Sequence, residues 1–81
     1  MNQSTSVERV IALLEEATQT PPHRLTAETV LEDFNGWDSM GMVTFLMLVE
    51  SSYGIALRTQ DLLRCPTPSA LARLLQQRTA M

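Results

Sequence analysis

A serine stands directly behind an aspartate in the run Gly36-Trp37-Asp38-Ser39-Met40-Gly41, where a loop gives way to an apolar stretch of helical type. A seryl hydroxyl that attacks a substrate within its own protein needs a base partner to take its proton. The chain has one histidine, His23, in a Pro-rich segment, and one cysteine, Cys65. With no carboxylate pair beside them, these groups are too few for a nucleophile with its base, or for paired acid and base catalysis. Ser39 therefore reads as an attachment point on which another enzyme works. At the first turn of a helix, the free N–H groups and the helix dipole favour a phosphate on that hydroxyl.

The elements that must position Ser39 follow from spacing. Asp38 is a good N-cap, and its carboxylate suits the positive end of a helix beginning at Asp38 or Ser39. Val43, Phe45, Leu46, Val49 and Tyr53 are spaced to face a core, and Gly54 suits the position that ends a helix. Upstream, a first helix starts near Ser6. Thr5 and Glu8 have capping-box spacing, with Ser4 or Ser6 as alternative caps. Val7, Val10, Ile11 and Leu14 form its apolar face. It fades by Thr18, because Pro21-Pro22 cannot continue it.

Residues 19–36 form a long connection, too long to be bare. Leu25, Val30, Leu31 and Phe34 are expected to pin it to the core, with a short helical turn between Thr26 and Asp33 and a turn at Asn35-Gly36. Downstream, Thr59 is the expected cap of a short helix through Leu63, which Pro66 stops. Thr67-Pro68 makes an N-cap and first-position pair for a last helix carrying Leu71, Leu74 and Leu75. The expected core combines Val10, Ile11, Leu14, Phe34, Val43, Leu46, Val49, Leu71 and Leu74. The fold class is all-α: a small bundle of three main helices plus one short helix, with a long first loop. One domain spans 1–81, its core at about 6–78 and its termini, including the tail from Thr79, frayed.

Composition sets further bounds. The chain has 81 residues, 44% hydrophobic and 19% charged, which is apolar enough to fold. A domain of this size has a small core and modest stability. Nine acids against six arginines, with no lysine, give a net charge of −3. That balance argues against nucleic acid as the main partner, which needs a basic surface. A lone cysteine makes no internal disulfide and has no metal-ligand companion. The polar N-terminus lacks the apolar core of a signal peptide, and the longest apolar stretch, Met40 to Val49, is far shorter than a membrane span. These features are those of a cytoplasmic protein, and a monomer is expected.

The triplet Asp38-Ser39-Met40, together with the stretch Glu50-x-x-Tyr53-Gly54-Ile55 and the final Leu71-Ala72-x-Leu74-Leu75, resembles the acyl carrier protein family. The resemblance runs from about Val7 to Leu75 and includes the long first loop and the short third helix. It implies a four-helix, acyl-carrier-like bundle bearing 4′-phosphopantetheine covalently on Ser39, with Asp38 assisting its loading. It also implies a set of partners: a phosphopantetheinyl transferase that moves the arm from coenzyme A with magnesium, an acyl- or aminoacyl-loading ligase, and a downstream synthase or transferase. The carrier itself would catalyse nothing. It would hold an acyl or aminoacyl group as a thioester and raise its local concentration near successive enzymes.

One departure from the fatty-acid type bears on partners. There the exposed face of the second helix is acidic. Here Met40, Gly41, Met42, Thr44, Met47 and Leu48 follow Ser39, and Glu50 is the only acid before Gly54. A helix apolar nearly all round cannot bury every side in so small a bundle, so some of Met42, Met47 and Leu48 should be exposed, and exposed apolar patches mark contacts. Met40, Met42, Met47 and Leu48 are the candidate partner-binding residues, and a specialised biosynthetic pathway is expected over general fatty-acid synthesis. Trp37 either packs under the loop or flanks the arm.

Three other classes fare worse. The alternative to a carrier is a small helical interaction module with no prosthetic group. A calcium loop beginning at Asp33-x-Asn35 fails, because Trp37 stands at the third ligand, Asp38 where glycine is needed and Thr44 where the bidentate glutamate belongs. A helix-turn-helix DNA binder lacks its basic helix.

Overall fold

The computed structural model describes residues 6–34 and 36–79. Among these residues four helices run in order: α1 (Val7–Thr18), α2 (Ser39–Tyr53), α3 (Thr59–Leu63) and α4 (Pro68–Thr79), with a 3-10 turn at Leu31–Asp33 inside the long first connection. No strand occurs among the described residues. The α1 helix packs against both α2 and α4, and α3 packs against α2.

Local chemistry accounts for the helix ends. The Ser6 hydroxyl oxygen accepts the Arg9 N–H at 3.4 Å and caps α1. The alternative caps Ser4 and Thr5 lie outside the described residues. α1 stops at Gln19, which takes the left-handed conformation (φ 55°) so that its N–H reaches back to the Glu15 and Glu16 carbonyls. α2 ends at Gly54, also left-handed at φ 70°, where glycine has no Cβ penalty. In α3 the cap is Arg58 and not Thr59, which is the first helical residue. The reason is Asp61, whose Oδ2 accepts the Arg58 N–H at 2.9 Å. The Thr67–Pro68 start of α4 holds, with the Thr67 hydroxyl accepting the Ala70 N–H at 3.2 Å.

The core draws on every helix and on the loop. Val10, Leu13 and Leu14 of α1 meet Phe45 and Val49 of α2, Leu62 of α3 and Leu71, Ala72 and Leu75 of α4, with Leu25, Leu31, Trp37 and Leu57 from the connections. Of the residues expected inside, Val10, Leu14, Val49 and Leu71 are fully buried. Ile11, Phe34, Leu46 and Leu74 are partly buried against them. Val43 is the exception, 51% exposed. The buried line on α2 is Gly41, Phe45 and Val49, at successive i+4 positions. At about 100° per residue, Val43 then lies roughly 160° from Phe45, on the opposite side.

The long connection is held as expected by Leu25 and Leu31, but Val30 points outward at 46% exposure. Backbone bonds secure it where apolar anchors run out. The Leu31 N–H donates to the Pro66 carbonyl at 2.8 Å and the Ser69 N–H to the Ala27 carbonyl at 3.1 Å. These two bonds tie the loop to the α3–α4 link and to the first turn of α4. The expected turn at Asn35-Gly36 falls partly on Asn35, and the tail after Thr79 falls on 80–81; both lie outside the described residues.

Candidate functional site

Ser39 is the first residue of α2, and it is exposed. Three features of the sequence before and after it hold that turn in place. Asp38, in extended conformation, accepts the Gly41 N–H on its Oδ1 at 2.9 Å, and its carbonyl accepts the Met42 N–H at 2.9 Å. The N–H groups of Ser39 and Met40 have no partner among the described residues, as the geometry of a first turn requires. Trp37 is buried, and its ring meets Phe45 edge-on at 5.7 Å between centroids. The ring thus packs inward and pins the loop one residue before the capping aspartate. The third feature is a contact between glycines: Gly41 is buried against the Gly36 carbonyl, so the loop lies directly on the helix.

The outer face of α2 runs on from Ser39. Val43 and Met47 follow at i+4 and i+8, so they share its side of the helix. Met40, Val43 and Met47 are 79%, 51% and 64% exposed. Met42 and Leu48 are partly buried and pack against the core from the flanks of α2. Of the four candidate partner-binding residues, the structure therefore leaves Met40 and Met47 open and turns Met42 and Leu48 inward. Val43, assigned to the core from spacing, belongs with the open pair. No charged side chain lies on α2 between Asp38 and Glu50.

A cleft opens on each side of the Ser39 turn. One, of about 250 Å³, lies between the end of α1 and the start of α2, with Thr18, Gln19, Asp38, Met40 and Thr44 in its walls. The other, of about 360 Å³, lies towards α3, with Trp37, Met42, Leu62, Leu63, Cys65 and Glu32 in its walls. Cys65 is buried there, and burial pushes its thiol pKa up, with the nearby Asp61 carboxylate adding to the shift. That is the opposite of what a reactive cysteine needs. His23 is an exposed loop residue in left-handed conformation (φ 72°) and takes no part in the site. No group of three or more metal-ligating side chains occurs among the described residues. No described helix is long and apolar enough to cross a membrane.

The two clefts escaped sequence reasoning, because each is made by residues of separate elements. The one available signal was the apolar ring of α2, which meant that some apolar side had to face outward.

A family model described as the phosphopantetheine attachment site matches residues 8–75. Comparison with curated proteins and with solved structures gave no significant match. The matched family carries 4′-phosphopantetheine covalently, and its carrier domains are generally non-catalytic. The structure fits such a group: an exposed serine at a helix start, two N–H groups beside it with no partner among the described residues, and open space on either side. The match spans most of the chain and both halves of the bundle, and the all-helical, acyl-carrier-like fold agrees with it, so the chain belongs to the phosphopantetheine-binding carrier family.

Proposed function

We propose that Ser39 is the residue that bears the 4′-phosphopantetheine arm, and that the protein presents acyl or aminoacyl groups to partner enzymes. The observation that carries this reading is the exposed Ser39 hydroxyl on a turn fixed by the Asp38 cap, within the matched region. When bound, the arm supplies a thiol that holds a carboxylic acid as a thioester. The chain's own contribution is positional. Asp38 fixes the first turn and leaves one carboxylate oxygen uncommitted to the cap, available to assist loading. Tethering keeps the cargo at high local concentration near successive enzymes.

A phosphopantetheinyl transferase installs the arm from coenzyme A, an acyl- or aminoacyl-loading ligase charges it, and a downstream synthase or transferase collects the cargo. On this reading the cytoplasm is the setting for this work. Partners dock on the outer face of α2, with Met40, Val43 and Met47 at its centre and Met42 and Leu48 at its flanks. The scarcity of acid on that face favours a specialised pathway over general fatty-acid synthesis.

Incubation with coenzyme A, magnesium and a broad-specificity transferase should add one arm by intact mass. Ser39→Ala should stay folded and take up none. An arm on that variant, or on Ser51 or Ser52, refutes the assignment. Failure of the wild-type chain to load, with the transferase active on a control, favours the interaction module without a prosthetic group.

A further inference from the structure

We propose that the cleft between the end of α1 and the start of α2 is a resting site for the pantetheine portion of the arm, with Gln19 and Thr44 as its hydrogen-bonding residues. The inference rests on Ser39 being the attachment point. It adds where the arm lies between partners.

The cleft adjoins the attachment turn, because Asp38 and Met40, the chain neighbours of Ser39, both line it. Its volume of about 250 Å³ admits part of a slender chain and not a bulky ligand. Its chemistry is mixed and uncharged apart from Asp38. Ala17 and Met40 offer apolar contact, and Gln19 and Thr44 are residues with a carboxamide and a hydroxyl. Pantetheine has the complementary make-up: two amides and a hydroxyl spaced along a chain that also carries a pair of methyl groups.

The polar groups of the wall divide into committed and free. The Thr18 hydroxyl donates to the Leu14 carbonyl at 2.7 Å and lies 2.6 Å from the Thr20 hydroxyl. Asp38 Oδ1 accepts the Gly41 N–H. The side chains of Gln19 and Thr44 make no hydrogen bond among the described residues. An amide chain can therefore bond to both without displacing a bond among the described residues.

Gln19 supplies a second, independent observation. Its backbone is left-handed (φ 55°), at a helix end where glycine is the residue of least strain. A glutamine there carries a cost that its backbone bonds do not require, since glycine would make the same ones. Gln19 is one of the residues in the cleft wall. The cleft on the α3 side differs in kind, having apolar walls, one carboxylate and no amide or hydroxyl side chain.

The test compares unloaded and loaded ¹⁵N-labelled protein by NMR, with one arm from coenzyme A verified by intact mass. Expected on loading are shifts at Ala17, Gln19 and Thr44, including the Gln19 carboxamide signals, and contacts between the arm's methyl groups and Ala17 or Met40. In Gln19→Gly, which suits the backbone and keeps the fold, most of the loading shift at Thr44 should vanish. Thr44→Val should do the same at Gln19. Both variants should still accept the arm, with faster arm motion by relaxation. Loading shifts confined to Asp38–Met40, or found instead at Leu62–Pro66, overturn the proposal while leaving the attachment reading intact. Absence of any arm by mass rejects the attachment reading, and this one with it.

Discussion

The carbonyl oxygen of Gly36 occupies the space that a Cβ on Gly41 would need. This contact lets the loop before Ser39 lie directly on the first turn of α2, so the two glycines set the height at which the serine is presented. Gly41→Ala must push the loop and helix apart, and the expected cost is about 1–3 kcal/mol in a denaturant titration. Gly54 is a control of another kind. A Cβ there meets nothing, but φ is +70°. Gly54→Ala should cost on the order of 1 kcal/mol from backbone strain alone. Equal stability of Gly41→Ala and wild type would show that the close approach is not maintained in solution.

The edge-on pair of Trp37 and Phe45 anchors the same loop from inside the core. Phe45 is fully buried and Trp37 nearly so, whereas Phe34 is only half-buried. Phe45→Ala should therefore cost about 3–5 kcal/mol, enough to unfold much of a domain with so small a core. Phe34→Ala should fall below that range. Circular dichroism during chemical denaturation ranks the two, and the reverse order would move the anchor to Phe34.

Asp38 separates capping from charge. Asparagine caps about as well as aspartate, so Asp38→Asn should keep its stability, while Asp38→Ala should lose about 1 kcal/mol. If the carboxylate assists loading, both variants should take up the arm more slowly than wild type. Initial rates by intact mass decide it. A wild-type rate in the folded asparagine variant would confine Asp38 to capping.

Partner binding through the α2 face should be largely apolar. Screening weakens charge-driven association as salt rises, and no charged residue lies on α2 between Asp38 and Glu50. Affinity for a cognate enzyme should change little from low to physiological salt. Met47→Glu, at a position 64% exposed, should weaken binding without unfolding the protein. A steep salt dependence with unchanged affinity in that variant would move recognition to charges such as Glu28, Glu32 and Asp33.

Cys65 should be inert near neutral pH. Burial is the main cause of its raised pKa, and the Asp61 charge adds to it. Alkylation of the unloaded protein should be slow, and the rate should climb only above the usual thiol range. The folded state favours the protonated thiol. Its contribution to stability is therefore complete below the unfolded pKa and is lost as pH rises through the folded one. Thiol titration against pH, with and without denaturant, reads both effects. Rapid labelling of native, unloaded protein at neutral pH would contradict the burial.

Much of this architecture is local and was legible in the chain. The Asp38 cap, the Gly54 ending and the Thr67-Pro68 start each depend on a few adjacent residues whose backbone preferences and hydrogen bonds act within one turn, so they could be read without neighbours. The same is true of Ser39, whose place at a helix start follows from the residue before it. Which side of α2 faces inward could not be read that way. An apolar residue occurs on nearly every side of it, and periodicity carries no preference when no polar stripe opposes an apolar one. Packing against α1 selected Gly41, Phe45 and Val49 as the buried line and left Val43 and Met47 outside with Ser39. Arg58 became the cap of α3 because Asp61 reaches back to its N–H, although Thr59 has the better capping side chain. The clefts beside Ser39 exist only where the end of α1, the 3-10 turn and α3 come close to one end of α2. Residues far apart in sequence became walls of one space, and tertiary structure alone decided that.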